Sequence, residues 1–129
     1  MLASNLLRVS VVLILVGLIA GIAMGVTQDF RLAPAHAHLN LVGFVALFLA
    51  GLYYAAVPAA AAGRLALVQA WLAVIGAVLF PVGIGLVVMV GPQFVPLAIV
   101  GSLVVLFGMA LFAFIVFRHG IATTRDTKA

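Results

Sequence analysis

The stretch Pro34-Ala35-His36-Ala37-His38-Leu39-Asn40-Leu41-Val42-Gly43-Phe44 decides how the chain is read. Two imidazoles and a carboxamide stand at the start of a run that then stays apolar as far as Val57. The rest of the sequence is as hydrocarbon-like as that run. Of 129 residues, 68% are hydrophobic and 6% charged, where a soluble domain has roughly a quarter of its residues charged. No soluble fold hides so much apolar surface. Lipid is the natural solvent, and the expected class is an all-α polytopic membrane protein. Ligand-forming side chains inside a membrane segment are costly, which marks His36, His38 and Asn40 as candidates for function.

Working outward, the run Leu6–Val26 precedes this stretch. A bilayer core takes about 20 residues to cross, whereas a signal peptide's apolar core is roughly 7–15 residues and leads to a small-residue cleavage site. The run is longer and no Ala-x-Ala site follows it, so it is expected to be a retained helix. Gly17, Gly21 and Gly25 fall four apart on one face and let another backbone approach closely. A short polar connection follows, with Asp29 and Arg31 nearly cancelling. Pro34 suits the first turn of the next helix, where its missing N–H costs nothing. That helix is expected over 33–57, with Tyr53 and Tyr54 near its far end placed for an interfacial aromatic belt.

Two further crossings are expected over 64–90 and 95–117, with a basic tail over 118–129. Pro81 falls inside the third and predicts a kink. Gly91-Pro92-Gln93 predicts a tight turn. Gly101, Ser102 and Gly108 read as small packing positions in the fourth. The whole is then a single domain, a four-helix transmembrane bundle. Four crossings put Arg8, Arg64, Arg118, Arg125 and Lys128 on one side and only Arg31 on the other. By the positive-inside rule both termini are expected in the cytoplasm.

Several classes of function drop out. There are no cysteines, so disulfides, thiolate metal sites and cysteine nucleophiles are excluded. The +4 net charge is spread over helix ends, which reads as topology rather than nucleic-acid binding. Asp29 and Asp126 are the only carboxylates and fall on opposite sides of the membrane, so no paired acid–base site exists. No phosphate-cradling glycine loop is present.

Neutral imidazole is the commonest biological metal ligand and also binds heme iron axially. On a regular helix residues i and i+2 point about 200° apart. His36 and His38 therefore cannot share one metal without a distorted turn or a partner from elsewhere. His38 continues along an aliphatic face of Val42, Val45, Leu49 and Leu52. His36 continues to Asn40, Gly43, Leu47 and Ala50, a smaller and more polar face expected to turn inward. Asn40 is placed to orient an imidazole or to join helices, and Gln69 to do likewise. His119, beside Arg118 at a helix end, reads as solvated or capping.

Three segments carry a family resemblance: His38-Leu39-Asn40-Leu41-Val42-Gly43-Phe44, then Gly51-Leu52-Tyr53-Tyr54-Ala55-Ala56-Val57-Pro58, then Gln69-Ala70-Trp71-Leu72. Together they resemble the second and third helices of the heme–copper oxidase superfamily catalytic subunit, nearest to the nitric-oxide reductase branch. The resemblance implies heme b as cofactor, with His38 as an axial ligand on the outer side. His36 has no clear counterpart in the family. The family's later helices, which carry the opposite heme ligand and the copper ligands, are absent here. The resemblance therefore does not imply reduction of oxygen or nitric oxide by this chain alone.

The expectation is a b-type-cytochrome-like protein of the bacterial inner membrane, acting in electron transfer or in redox or gas sensing with a redox partner. His36 is a candidate second ligand or supporting residue. A homo-oligomer assembled on the glycine face of the first helix would bring two copies of the histidine to one heme. Two rival readings stand beside this one: a copper-binding or assembly module using His36 and His38, and an accessory membrane subunit whose histidines only pack.

Overall fold

The computed structural model describes residues 1–120; Arg125, Asp126 and Lys128 of the basic tail lie outside the described residues. The described part is all-helical. Helix α1 spans Leu2–Thr27, and α2 spans Ala33–His38. A π-helix, Leu39–Ala46, continues α2 and runs into α3, Leu47–Ala56. A single turn, α4, covers Pro58–Ala61. Helix α5 spans Arg64–Met89, a 3-10 turn spans Pro92–Phe94, and α6 spans Val95–His119. Four stretches are long and apolar enough to cross a membrane: Leu2–Thr27, Ala33–Ala56, Arg64–Met89 and Pro92–His119.

The helix boundaries follow local chemistry. Helix α1 begins at Leu2, ahead of the run from Leu6, with Leu2 and Ala3 half-buried against the core and Ser4 and Asn5 exposed. It ends where Gln28 turns left-handed, φ 55°. The Gln28 amide donates to the Gly25 carbonyl at 2.6 Å, and the Thr27 hydroxyl to the Ala23 carbonyl at 2.8 Å, which satisfies acceptors the helix end exposes. In the connection, Arg31 donates to both Asp29 oxygens, with Nη2 at 2.6 Å from Oδ2. These hydrogen bonds hold the Asp29 carboxyl down at about 2. Pro34 lies in the first turn of α2, as its fixed φ favours. Pro58 follows the end of α3 and opens α4. Gly91, φ 146°, makes the turn after α5, a conformation that L side chains rarely adopt.

Packing runs in sequence order. Helix α1 lies along the second crossing (α2, the π-helix and α3), that crossing meets α5, and α5 lies along α6. The α5–α6 seam is the closest. A Cβ on Gly83 would come within 2.7 Å of the Ala98 Cα and N, and one on Gly101 within 2.6 Å of the Phe80 Cα. Gly101 and Gly108 are buried and Ser102 is half-buried, its hydroxyl donating to the Ile99 carbonyl at 2.8 Å. Pro81 lies buried within α5. The core itself is small-residue-rich: Ala50, Ala60, Ala66, Ala70 and Ala77 surround Leu6, Leu47, Tyr54 and Ile115. Backbones thus approach closely where hydrophobic driving force between helices is weak in lipid. Large apolar side chains such as Ile19, Ile22, Leu106 and Phe107 instead point outward, each at least 60% exposed. That inversion suits lipid as the surrounding solvent.

Candidate functional site

The polar stretch of the second crossing splits into two unlike halves. His36 faces α1. Its ring lies against Gly21, where a Cβ would come within 3.0 Å of Cε1. Asn40, one turn on, fills the space that a Cβ on Gly17 would occupy. The Asn40 amide nitrogen donates to His36 Nε2 at 3.1 Å. With Nε2 accepting, the imidazole proton sits on Nδ1. That Nδ1 and the Asn40 Oδ1 are both buried and without a hydrogen-bond partner among the described residues.

This alters the role expected of the glycine face. Gly17 and Gly21 meet Asn40 and His36 of the same chain, and only Gly25 has open space before it. The close approach that the glycines permit is made within the protomer. A second copy has two fewer glycines to dock on than the spacing suggested, because the chain's own polar side chains occupy that groove.

His38 faces the other way. Its ring packs edge-on to Phe80 of α5, centroids 4.8 Å apart. Its Nδ1 lies 2.7 Å from the Pro34 carbonyl oxygen. A carbonyl can only accept, so Nδ1 carries the proton and the Nε2 lone pair is left for another partner. A metal-binding histidine is commonly held this way, by a carbonyl on its other nitrogen that fixes tautomer and ring orientation. The structure therefore does not bring His36 and His38 together: one contacts α1 and the other contacts α5, as their spacing on a helix requires.

The inward and outward faces divide as expected. Gly43, Leu47 and Ala50 are buried, while Val45, Leu49 and Leu52 are each more than 40% exposed. The π-helix has no signature in the sequence of the second crossing. Asn40 and Gly43 lie within it at the α1 contact, where a Cβ on Gly43 would touch Leu13. Stretches of π-helix are rare and recur at functional sites. An apolar cavity of about 300 Å³ lies between α1, α2 and α5, bordered by His36, Ala20, Leu32, Pro81 and Val82.

A second polar cluster sits toward the other end of the crossing. The Tyr54 hydroxyl donates to Gln69 Oε1 at 3.0 Å, and both residues are about 1% exposed. Tyr54 is thus a core anchor between α3 and α5 rather than part of an interfacial belt. Tyr53 packs edge-on to Phe112 of α6 at 5.4 Å, and its hydroxyl is also buried. The half-buried Tyr53 ring thus contributes to helix contacts as well. The sequence offered one signal for this pair: Gln69 is a lone carboxamide in an apolar helix, which needs a partner. His119 ends α6 and is exposed, at the opposite end of the bundle from His38.

The donor chemistry fits a porphyrin iron in part. His38 would offer one oriented imidazole, and His36, turned toward α1, would not offer a second. Among the described residues no three His, Cys, Asp or Glu side chains converge as a metal site would need. Compared with known protein families, curated proteins and solved structures, the chain matches none.

Proposed function

We propose that this is a small integral-membrane heme b protein in which His38 Nε2 is an axial ligand. The observation that carries the reading is the Pro34 carbonyl on His38 Nδ1. It fixes the tautomer that leaves the Nε2 lone pair open to a metal, on a helix where an idle imidazole would be costly. The resemblance of the His38–Leu72 region to heme–copper oxidase catalytic subunits supports the same residue in the same role. When bound, heme supplies a reversible one-electron change at iron, suited to electron transfer or to redox or gas sensing.

The chain's own residues do the rest. Pro34 and Phe80 orient the imidazole, and Val45, Leu49 and Leu52 offer an apolar wall. The second ligand comes from a second copy or a partner subunit meeting that outer face. His36 and Asn40 lock α1 to the second crossing. Both termini lie in the cytoplasm, and the protein sits in a bacterial inner membrane. The basic residues Arg8, Arg64 and Arg118 at one end, which form no ion pair among the described residues, against the Arg31–Asp29 pair at the other, support that orientation.

The test is the visible spectrum of protein purified from heme-replete cells, oxidised and reduced. The wild type is expected to show a Soret band and sharp reduced α and β bands. His38→Ala is expected to lose them and His36→Ala to keep them. A wild type without a Soret band overturns the proposal. Copper without porphyrin on metal analysis, lost in the double histidine variant, moves the assignment to a copper module. Unchanged assembly and cofactor content in that double variant leaves a packing role only.

A further inference from the structure

At the end of the bundle where α1 and α5 begin, these two parallel helices separate and leave an open groove of about 360 Å³. Its floor is apolar, formed by Leu6 and Ala70 of the core with Val74 above them. Its rim is not. Arg8, Asn5 and Trp71 border it. Arg8 lies six residues into α1 and Trp71 seven residues into α5, so at 1.5 Å per residue both sit about 10 Å from their helix starts. Cation and indole therefore meet the groove at one depth.

That depth is the problem Arg8 poses. A guanidinium is always charged and must be solvated or paired. Asp29, the one carboxylate among the described residues, is bonded to Arg31 beyond the far end of α1. Arg8 is exposed at the groove rim. Its long stem reaches toward the headgroup layer, where phosphate is the abundant anion. The indole of Trp71, 63% exposed, belongs at the same level.

We infer that this groove is a binding site for an anionic phospholipid. One acyl chain lies on Leu6, Ala70 and Val74, and the phosphodiester is held by the Arg8 guanidinium with the Asn5 carboxamide and Trp71 indole beside it. Charge complementarity selects the lipid over a neutral apolar occupant. The groove's narrow apolar floor selects a lipid over a free anion. The inference is independent of heme, since the groove lies at the opposite end of the bundle from His38.

The experiment is native mass spectrometry of the full chain, released from micelles doped with phosphatidylglycerol, with phosphatidylcholine of the same acyl chains, or with inorganic phosphate. The wild type is expected to retain one phosphatidylglycerol in preference to phosphatidylcholine. Arg8→Gln is expected to weaken that retention about fivefold, the worth of one basic residue near an anionic surface. Leu67→Trp changes a residue that is 53% exposed on the groove wall. It is expected to block the acyl chain and lose the lipid with Arg8 intact, while an unchanged thermal unfolding curve reports that the bundle still folds. Equal retention of the two lipids, or an Arg8→Gln variant that holds phosphatidylglycerol as the wild type does, overturns the inference. So does inorganic phosphate that competes fully, which reports an anion site without a chain. A dimer that Leu67→Trp dissociates assigns the groove to a second copy and overturns it as well.

Discussion

A single buried hydrogen bond joins the tyrosine hydroxyl and the glutamine carbonyl that fasten α3 to α5. Tyr54 and Gln69 have no water to fall back on, so removing one partner exposes the cost of the other. Tyr54→Phe is expected to destabilise the bundle by about 1 kcal/mol, because Gln69 Oε1 is left unpaired in an apolar core. Gln69→Leu added to Tyr54→Phe is expected to recover part of that loss. Unfolding in mixed micelles of the wild type, each single variant and the double variant measures the coupling. A Tyr54→Phe protein as stable as the wild type would show that the bond contributes nothing. The histidines belong to the same scale. Their opposite directions were legible from their spacing. Which one keeps a free lone pair was not, because that is set by a carbonyl one turn back and a carboxamide one turn on.

Between elements, small residues govern the distance of approach. The glycines of α1 and those of the α5–α6 seam look alike in sequence, yet they face different neighbours. At Gly83 a methyl would meet the Ala98 backbone at 2.7 Å, and backbone cannot turn aside. Gly83→Ala is expected to push α5 and α6 apart and cost about 1–3 kcal/mol. At Gly25 nothing lies within 4 Å. Gly25→Ala is expected to be neutral, or to stabilise by up to about 1 kcal/mol through helix propensity. Thermal unfolding of the two variants in one detergent separates them, and equal effects would sink this assignment of the close contacts. The π-helix also belongs to this scale. No residue in Leu39–Ala46 announces it, since π and α turns differ only in which carbonyl each N–H chooses. That choice is made by packing against α1 and α5.

For the whole molecule, four crossings place the start of α1 and the α3–α5 connection on one side, with the α1–α2 and α5–α6 connections on the other. The chain has no cysteine, so single introduced thiols report this cleanly. In right-side-out bacterial vesicles, an impermeant maleimide is expected to label Phe30→Cys and Gln93→Cys at once. Ser4→Cys and Ala62→Cys are expected to react only after permeabilisation. The reverse pattern would overturn the proposed cytoplasmic placement of the termini, and labelling of all four from one side would overturn the four crossings.

Composition and the lengths of the apolar runs determined by themselves that the chain is an all-helical bundle fit for lipid. A backbone without water must satisfy its hydrogen bonds within each helix, whatever its neighbours are. The period of the second crossing likewise determined which of its faces turns inward. Only the tertiary structure decided that Gly17 and Gly21 cradle Asn40 and His36, that Tyr54 anchors on Gln69, and that α1 and α5 part to leave a groove beneath Arg8. Each of these joins residues on different helices. Their meeting depends on how closely and at what level the helices pack, which no one run of sequence contains.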